Sequence, residues 1–304
     1  MSQPALAQRH LSLFKTFEEK MRNAIFATPL VSDFFRQYWR FLWRVGACRG
    51  VYANYREASK ACAAFKKHGY NDALFYGPAI IGEPVHMRKR DYPVLYWLSQ
   101  SLKEGTRILN LGGNAGTEYF TYRQFIHFPD GVRWIVWELP AAVNFGQHLA
   151  QVSKSPDLSF TTRLEDGDGA DIVLVAGALQ YIEEDLPTCL KRLSALPPRL
   201  VIHRTPLYEG ETFFTMQNTY GSVVPYRIQN RQELADSLLK LGYRMVDCWC
   251  EQRSVIIPFY PARSSDRFYG FYFVLDDSPD PTWKTDAIET AMEVRKQIRH
   301  PWSN

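Results

Sequence analysis

Residues 107–120 read RILNLGGNAGTEYF. Arg107 to Leu111 has the apolar density of a buried strand, Gly112, Gly113 and Gly116 follow it, and a run with helical character comes next. A strand, a glycine turn and a helix in that order open an α/β unit in which a ligand can lie against bare backbone. The spacing rules out the dinucleotide fingerprint G-x-G-x-x-G, because a start at Gly112 meets Asn114 and Thr117 where glycines are needed. No G-K-[ST] follows to make a phosphate loop.

Downstream of this turn, strand-like and helix-like runs alternate. WIVWEL (134–139) precedes AAVNFGQHLAQ, a short LSFTTRL (158–164) comes next, and DIVLVAG (171–177) leads to a helical stretch over 184–195 before RLVIHRT (199–205). Alternation of this kind predicts a parallel sheet covered on both faces. RQELADSLLKLG then reads as a helix, and YRMVDCWCE and FYGFYFVLDD as two strands with no helix between them, which predicts an antiparallel final pair. The fold expected for residues 105–278 is a doubly wound, seven-stranded α/β sheet, mostly parallel with an antiparallel last strand.

Upstream, residues 1–104 read as an N-terminal helical cap. Helices are expected over 5–27, 30–46, 55–67 and 91–103, with the Gly- and Pro-rich GYNDALFYGPAIIGEP as a loop. Residues 279–304 are expected to form a polar helical tail. The first 50 residues hold eight Lys/Arg and three Asp/Glu, whereas the whole chain carries only +4. That balance is too modest for a dedicated nucleic-acid binder and suits an acidic small molecule or an anionic surface. Five cysteines exclude a fully paired disulfide framework; Cys248 and Cys250 read as strand residues, and no metal-ligand spacing occurs. The opening MSQPALAQRH has no signal-like apolar core and no run of about 18 apolar residues occurs, so a reduced, cytoplasmic protein is expected, with peripheral membrane contact left open.

Glu138 ends the strand after the glycine turn, 22 residues beyond Gly116. At that place a carboxylate accepts both hydroxyls of a ribose. A ligand with a ribose but no pyrophosphate fits S-adenosylmethionine. On RGVYANYREASKAC, LNLGGNAGTEYF, WIVWELP, DIVLVAGALQYIEE, IHRTPLYEG and the GYRMVDCW to FYGFYFVLDD pair, the chain resembles the class I S-adenosylmethionine-dependent methyltransferases. It is similar, more narrowly, to bacterial quorum-sensing methyltransferases of the PhcB type, which esterify 3-hydroxy fatty acids.

The resemblance implies that Gly112, Gly113, Asn114 and Gly116 hold the methionine moiety and that Glu138 holds the ribose. It also implies that Leu139, Leu164 and Glu165 flank the adenine and that Ala176, Gly177 and Ala178 pass under the sulfonium. Asn110 stands where such enzymes usually carry Asp or Glu, so the chain offers no charge there to the ligand's amino group. Catalytic candidates are His203 and Arg204 at the end of the fifth strand, and Tyr181. Arg204 is expected to pair either with Glu183 or Glu184 or with a substrate anion. Gln180, Gln217 and Tyr220, with Trp39 of the aromatic head, are acceptor-binding candidates, and TMQNTYGS (215–222) is expected to form a wall of the site. With no obvious base set, the expected acceptor is the carboxylate of an amphiphilic hydroxy acid, already ionised at neutral pH. Another small metabolite, a surface-sugar precursor and a non-catalytic cofactor-binding module stay open.

Overall fold

The computed structural model describes residues 40–65, 87–219 and 222–276. The expected helix over 5–27, residues 30–39 of that over 30–46, the loop over 69–84 and the tail over 279–304 lie outside them, as do Trp39 and Tyr220.

The sheet is built from β2 (Arg107–Leu111), β3 (Arg133–Trp137), β4 (Leu158–Thr161), β5 (Ile172–Ala176), β6 (Arg199–Tyr208), β9 (Tyr243–Val255) and β10 (Ser265–Leu275). Its order is β4-β3-β2-β5-β6-β10-β9. The first five run parallel, and β10 is antiparallel to both β6 and β9. This is the doubly wound seven-stranded sheet with one antiparallel strand that the alternation of runs predicts.

Because successive side chains point to opposite faces, each central strand feeds two cores. Leu109, Leu111, Val173, Val175, Leu200 and Ile202 pack on one face with α5 (Leu186–Lys191) and α6 (Arg231–Lys240). On the other, Ile108, Val136, Ile172, Leu174 and Val201 pack with α2 (Tyr92–Ser101), α3 (Thr117–Tyr122) and α4 (Pro140–Val152). Asn110 is the polar exception in β2. It is 1% exposed, donates to the Leu174 carbonyl (3.3 Å) and accepts from the Trp134 indole N–H (3.4 Å). A buried amide needs such partners, and both come from neighbouring strands.

Three further strands, not expected from the run pattern, extend the sheet. β1 (Cys48–Tyr52), β7 (Phe213–Asn218) and β8 (Val223–Asn230) form an antiparallel extension, joined to the end of β6 through Leu207 and Tyr208. Of TMQNTYGS, expected to be a wall of the site, Thr215 to Asn218 lie in β7. Polar residues Thr215 and Gln217 are buried in it, so the apolar alternation that marks a strand is missing. Pro225 is tolerated in β8 because β6 pairs only with Gln229 and Asn230, which leaves that edge open at the proline. The helix α1 (Tyr55–Cys62) lies against this extension. The end of the aromatic head is tied to it too: Phe41 is buried with Cys62, Met216 and Val223, and Asn218 Nδ2 donates to the Phe41 carbonyl (2.7 Å). Among the described residues no helix is long and apolar enough to cross a membrane.

Candidate functional site

At the tip of β2 the chain turns sharply. Gly112 (φ 65°), Asn114 (φ 52°) and Gly116 (φ 88°) all lie in the left-handed region. Asn114 tolerates it because its own Oδ1 accepts from the Ala115 N–H (2.6 Å). The glycines are required by protein contacts. A Cβ on Gly112 would stand 2.3 Å from the Ala178 Cβ, and one on Gly113 would stand 2.3 Å from Asn110 Oδ1. A side chain at 112 would therefore strike Ala178.

Glu138 closes the same corner from β3. Its Oε1 accepts from the Asn114 N–H (3.2 Å) and its Oε2 from the Leu139 N–H (2.7 Å). Burial pushes its pKa up from the ordinary carboxylate value, against the pull of those two bonds. Among the described residues no cation pairs with it. Beside it Leu139 is 40% exposed. A desolvated carboxylate with spare lone pairs and no counter-ion, next to an uncovered apolar side chain, fits a sugar diol with a planar base. The donor set of this corner therefore suits a nucleoside ligand. Of the other residues expected to flank the base, Leu164 is buried in the core, and Glu165 is held at the surface by Arg192 (2.8 Å), which also binds Glu184 (3.0 Å).

The tip of β5 and a bulge within β6, level with it, form the second half of the site. The pairing of β6 with β10 shifts register between Tyr269 and Phe271, so His203 and Arg204 form a bulge opposite Gly270. Arg204 takes φ 57° there. Its guanidinium lies over Gly177, where a Cβ would come 3.0 Å from Nε. Nη2 donates to the Ala176 carbonyl and to Glu118 Oε1 (2.8 Å). Arg204 was expected to pair with Glu183 or Glu184 or with a substrate anion; its carboxylate partner in the protein is Glu118, on the first turn of α3. Burial drives the Glu118 pKa up to about 7 even though Arg204 pulls it down.

His203 is 2% exposed and both ring nitrogens are engaged. The Trp249 indole can only donate, so Nδ1 accepts from it (3.2 Å) and Nε2 carries the proton towards Asp91 Oδ1 (3.0 Å). Burial lowers its pKa and the Asp91 bond works the other way. An imidazole fixed in this way holds the bulge in place and has no nitrogen left for an acceptor molecule.

Gln180 Nε2 donates to the Gly177 carbonyl (2.8 Å), while its Oε1 is buried without a protein partner. Tyr181 donates to Gln217 Oε1 (2.7 Å), which links the β5 tip to the β7 extension. Arg227 on β8 donates to the carbonyls of Ile182 (3.0 Å), Glu183 and Glu184 (3.3 Å), and so fixes the loop after Tyr181. Glu118, Asp91, Trp249 and Arg227 were not singled out in the sequence. An acid in the first turn of a helix reads as a dipole partner, and nothing in the spacing links it to an arginine 86 residues away.

No protein-family model matches the chain, and no curated protein matches it. Among solved structures it is similar to the 1,6-didemethyltoxoflavin-N1-methyltransferase of Burkholderia thailandensis, crystallised with S-adenosylhomocysteine, at 20% identity over 62% of this chain and 79% of that one, with a TM-score of 0.42. The CcbJ methyltransferase of Streptomyces caelestis matches at 14% identity over 69% and 99% of the two chains, with a TM-score of 0.45. The magnesium protoporphyrin IX methyltransferase of Synechocystis PCC 6803, also with S-adenosylhomocysteine, matches at 14% identity over 68% and 95%, with a TM-score of 0.45. These are partial likenesses of architecture.

Proposed function

We propose that this chain is an S-adenosylmethionine-dependent methyltransferase acting on a small-molecule acceptor. The observation that carries the reading is Glu138, a half-buried carboxylate without a counter-ion, hydrogen-bonded to the glycine turn at the adjacent strand tip. Glu138 would hold the ribose, Leu139 would lie against the adenine, and the turn from Gly112 to Gly116 would hold the amino-acid end. Ala176, Gly177 and Ala178 would lie beneath the sulfur. When bound, S-adenosylmethionine supplies an electrophilic methyl group on a cationic sulfur. The protein's own contribution is position and electrostatics.

The unpartnered Gln180 Oε1 offers one acceptor lone pair beside the β5 tip. Tyr181 and Gln217, bonded to each other, would border the acceptor. A carboxylate acceptor was expected to be oriented by a donor, His203 or Arg204. Arg204 is paired with Glu118, and both ring nitrogens of His203 are engaged by Asp91 and Trp249. The acceptor is therefore assigned no further than a small molecule. Isothermal titration of the full chain with S-adenosylhomocysteine and with NAD tests the reading. One-to-one binding of the former and none of the latter is expected; the reverse pattern, or binding of neither, overturns it.

A further inference from the structure

Arg204 brings a full positive charge to the end of β5. Its Nη2 donates to the Ala176 carbonyl, and its Nε sits over Gly177 with no hydrogen-bond partner. A sulfonium placed above Ala176 to Ala178 is itself a cation, and a second cation a few ångströms away would repel it. One carboxylate offsets that charge. Glu118 reaches Arg204 from α3 at 2.8 Å, with its own side chain only 7% exposed. Asn110 supplies no charge, since its amide is spent on Leu174 and Trp134.

We propose that the buried Glu118–Arg204 pair sets the preference of the site for S-adenosylmethionine over S-adenosylhomocysteine. The proposal rests on the cofactor reading. With Glu118 ionised the pair is neutral and the sulfonium is tolerated; with Glu118 neutral the guanidinium stands alone and disfavours the charged sulfur. The thioether of the product is uncharged and is indifferent to the difference. The two ligands differ only in the methyl group and the charge it confers on sulfur, so a change in the ratio of their affinities between variants or pH values reports that charge.

Acid should act in the same sense. Burial holds the Glu118 pKa up at about 7, with Arg204 pulling it down and Asp91 pushing it up. The Tyr122 hydroxyl, from the same helix, also faces it and stays protonated, because burial raises its pKa well above the ordinary value. Burial lowers the pKa of His203, beside Arg204, with the Asp91 hydrogen bond pulling the other way. As pH falls through about 7, protonation of Glu118 leaves the guanidinium uncompensated, and the preference for the sulfonium falls.

The test is calorimetric titration of the full chain with each ligand at pH 8 and pH 6. Wild type should lose preference for S-adenosylmethionine at the lower pH. Glu118→Gln at pH 8 should lose about tenfold or more in the affinity ratio, tenfold being the scale of one uncompensated charge about 12 Å away at an effective dielectric of about 20, with a nearer charge costing more. The double variant Glu118→Gln/Arg204→Gln, with both charges gone, should return the ratio to wild type and make it independent of pH. Equal weakening of both ligands in Glu118→Gln, or a double variant that fails to restore the ratio, overturns the proposal and leaves the cofactor reading standing. If Glu118→Gln does not fold, the wild-type comparison at the two pH values decides, and an unchanged ratio refutes the idea. Failure of wild type to bind either ligand brings down the cofactor reading itself.

Discussion

Truncating Glu138 is the sharpest perturbation of the proposed cofactor corner. The carboxylate has two kinds of work in the structure. It accepts two backbone N–H groups, at 3.2 and 2.7 Å, and so ties the Asn114 turn to β3. Its remaining lone pairs are available to a ribose. In Glu138→Ala the two N–H groups turn to water, because the corner is only half-buried. The desolvation cost of the carboxylate disappears as well, so the stability loss should be small, about 1 kcal/mol. Affinity should suffer more. Two hydrogen bonds from ribose hydroxyls to a charged acceptor are worth about 2 kcal/mol net, which is roughly a 30-fold rise in Kd for S-adenosylhomocysteine. Glu138→Gln keeps one acceptor oxygen and should lose less, about tenfold. Calorimetry at pH 8 with a parallel melting curve separates the two effects. A Glu138→Ala protein that melts about 1 kcal/mol lower yet binds with unchanged Kd would remove Glu138 from the site and leave it a loop tether.

Two further outcomes follow from contacts around the strand tips. Gly112→Ala should cost about 2–4 kcal/mol in urea denaturation, from the positive φ and the 2.3 Å approach to Ala178; a loss under about 0.5 kcal/mol would mean that the turn yields freely. Trp249→Phe removes the N–H that occupies His203 Nδ1, so the His203 pKa, lowered by burial in wild type, should rise under the influence of Asp91. In wild type the unfolded chain takes up the histidine proton first, and His203 costs stability as pH drops below about 6.5; that share of the loss should shrink in the variant, and an unmoved histidine titration in NMR spectra would refute the tautomer assignment.

The seven-stranded sheet was legible because its signals are local and strong. RILNL, WIVWE and DIVLVA are apolar on both faces and punctuated by Gly or Pro, as buried parallel strands must be. The position of Glu138 beside the glycine turn was legible from its spacing to that turn. The β1–β7–β8 extension was not, because its strands bury Thr215, Gln217 and Arg227 and contain Pro225, all of which argue against a strand in a linear reading. The roles of His203 and Arg204 were half legible. They were expected at a strand tip and instead lie within β6, level with the end of β5, and their partners Asp91, Trp249 and Glu118 come from elements 46 to 112 residues away. Hydrogen bonds of that reach leave no periodic trace in the sequence.

The antiparallel pair at the sheet's end explains why Arg204 points where it does. Gly270 has no side chain, and a Cβ there would stand 2.2 Å from the Trp249 indole. The indole therefore lies directly over β10 and reaches across it to His203 Nδ1. Asp91, at the head of α2, holds the other nitrogen of the same ring. With His203 clamped from two sides, the extra residue of the bulge is Arg204, and a left-handed φ turns its side chain off the strand and over Gly177. A non-glycine residue in that conformation costs about 1–3 kcal/mol and persists only where its surroundings over-determine it. Here they do: the bonds to Glu118 and to the Ala176 carbonyl hold the guanidinium at the far end while the clamped imidazole holds the backbone. The charge at the β5 tip is thus positioned by three elements, α2, α3 and β9, none of which is a direct sequence neighbour of β6.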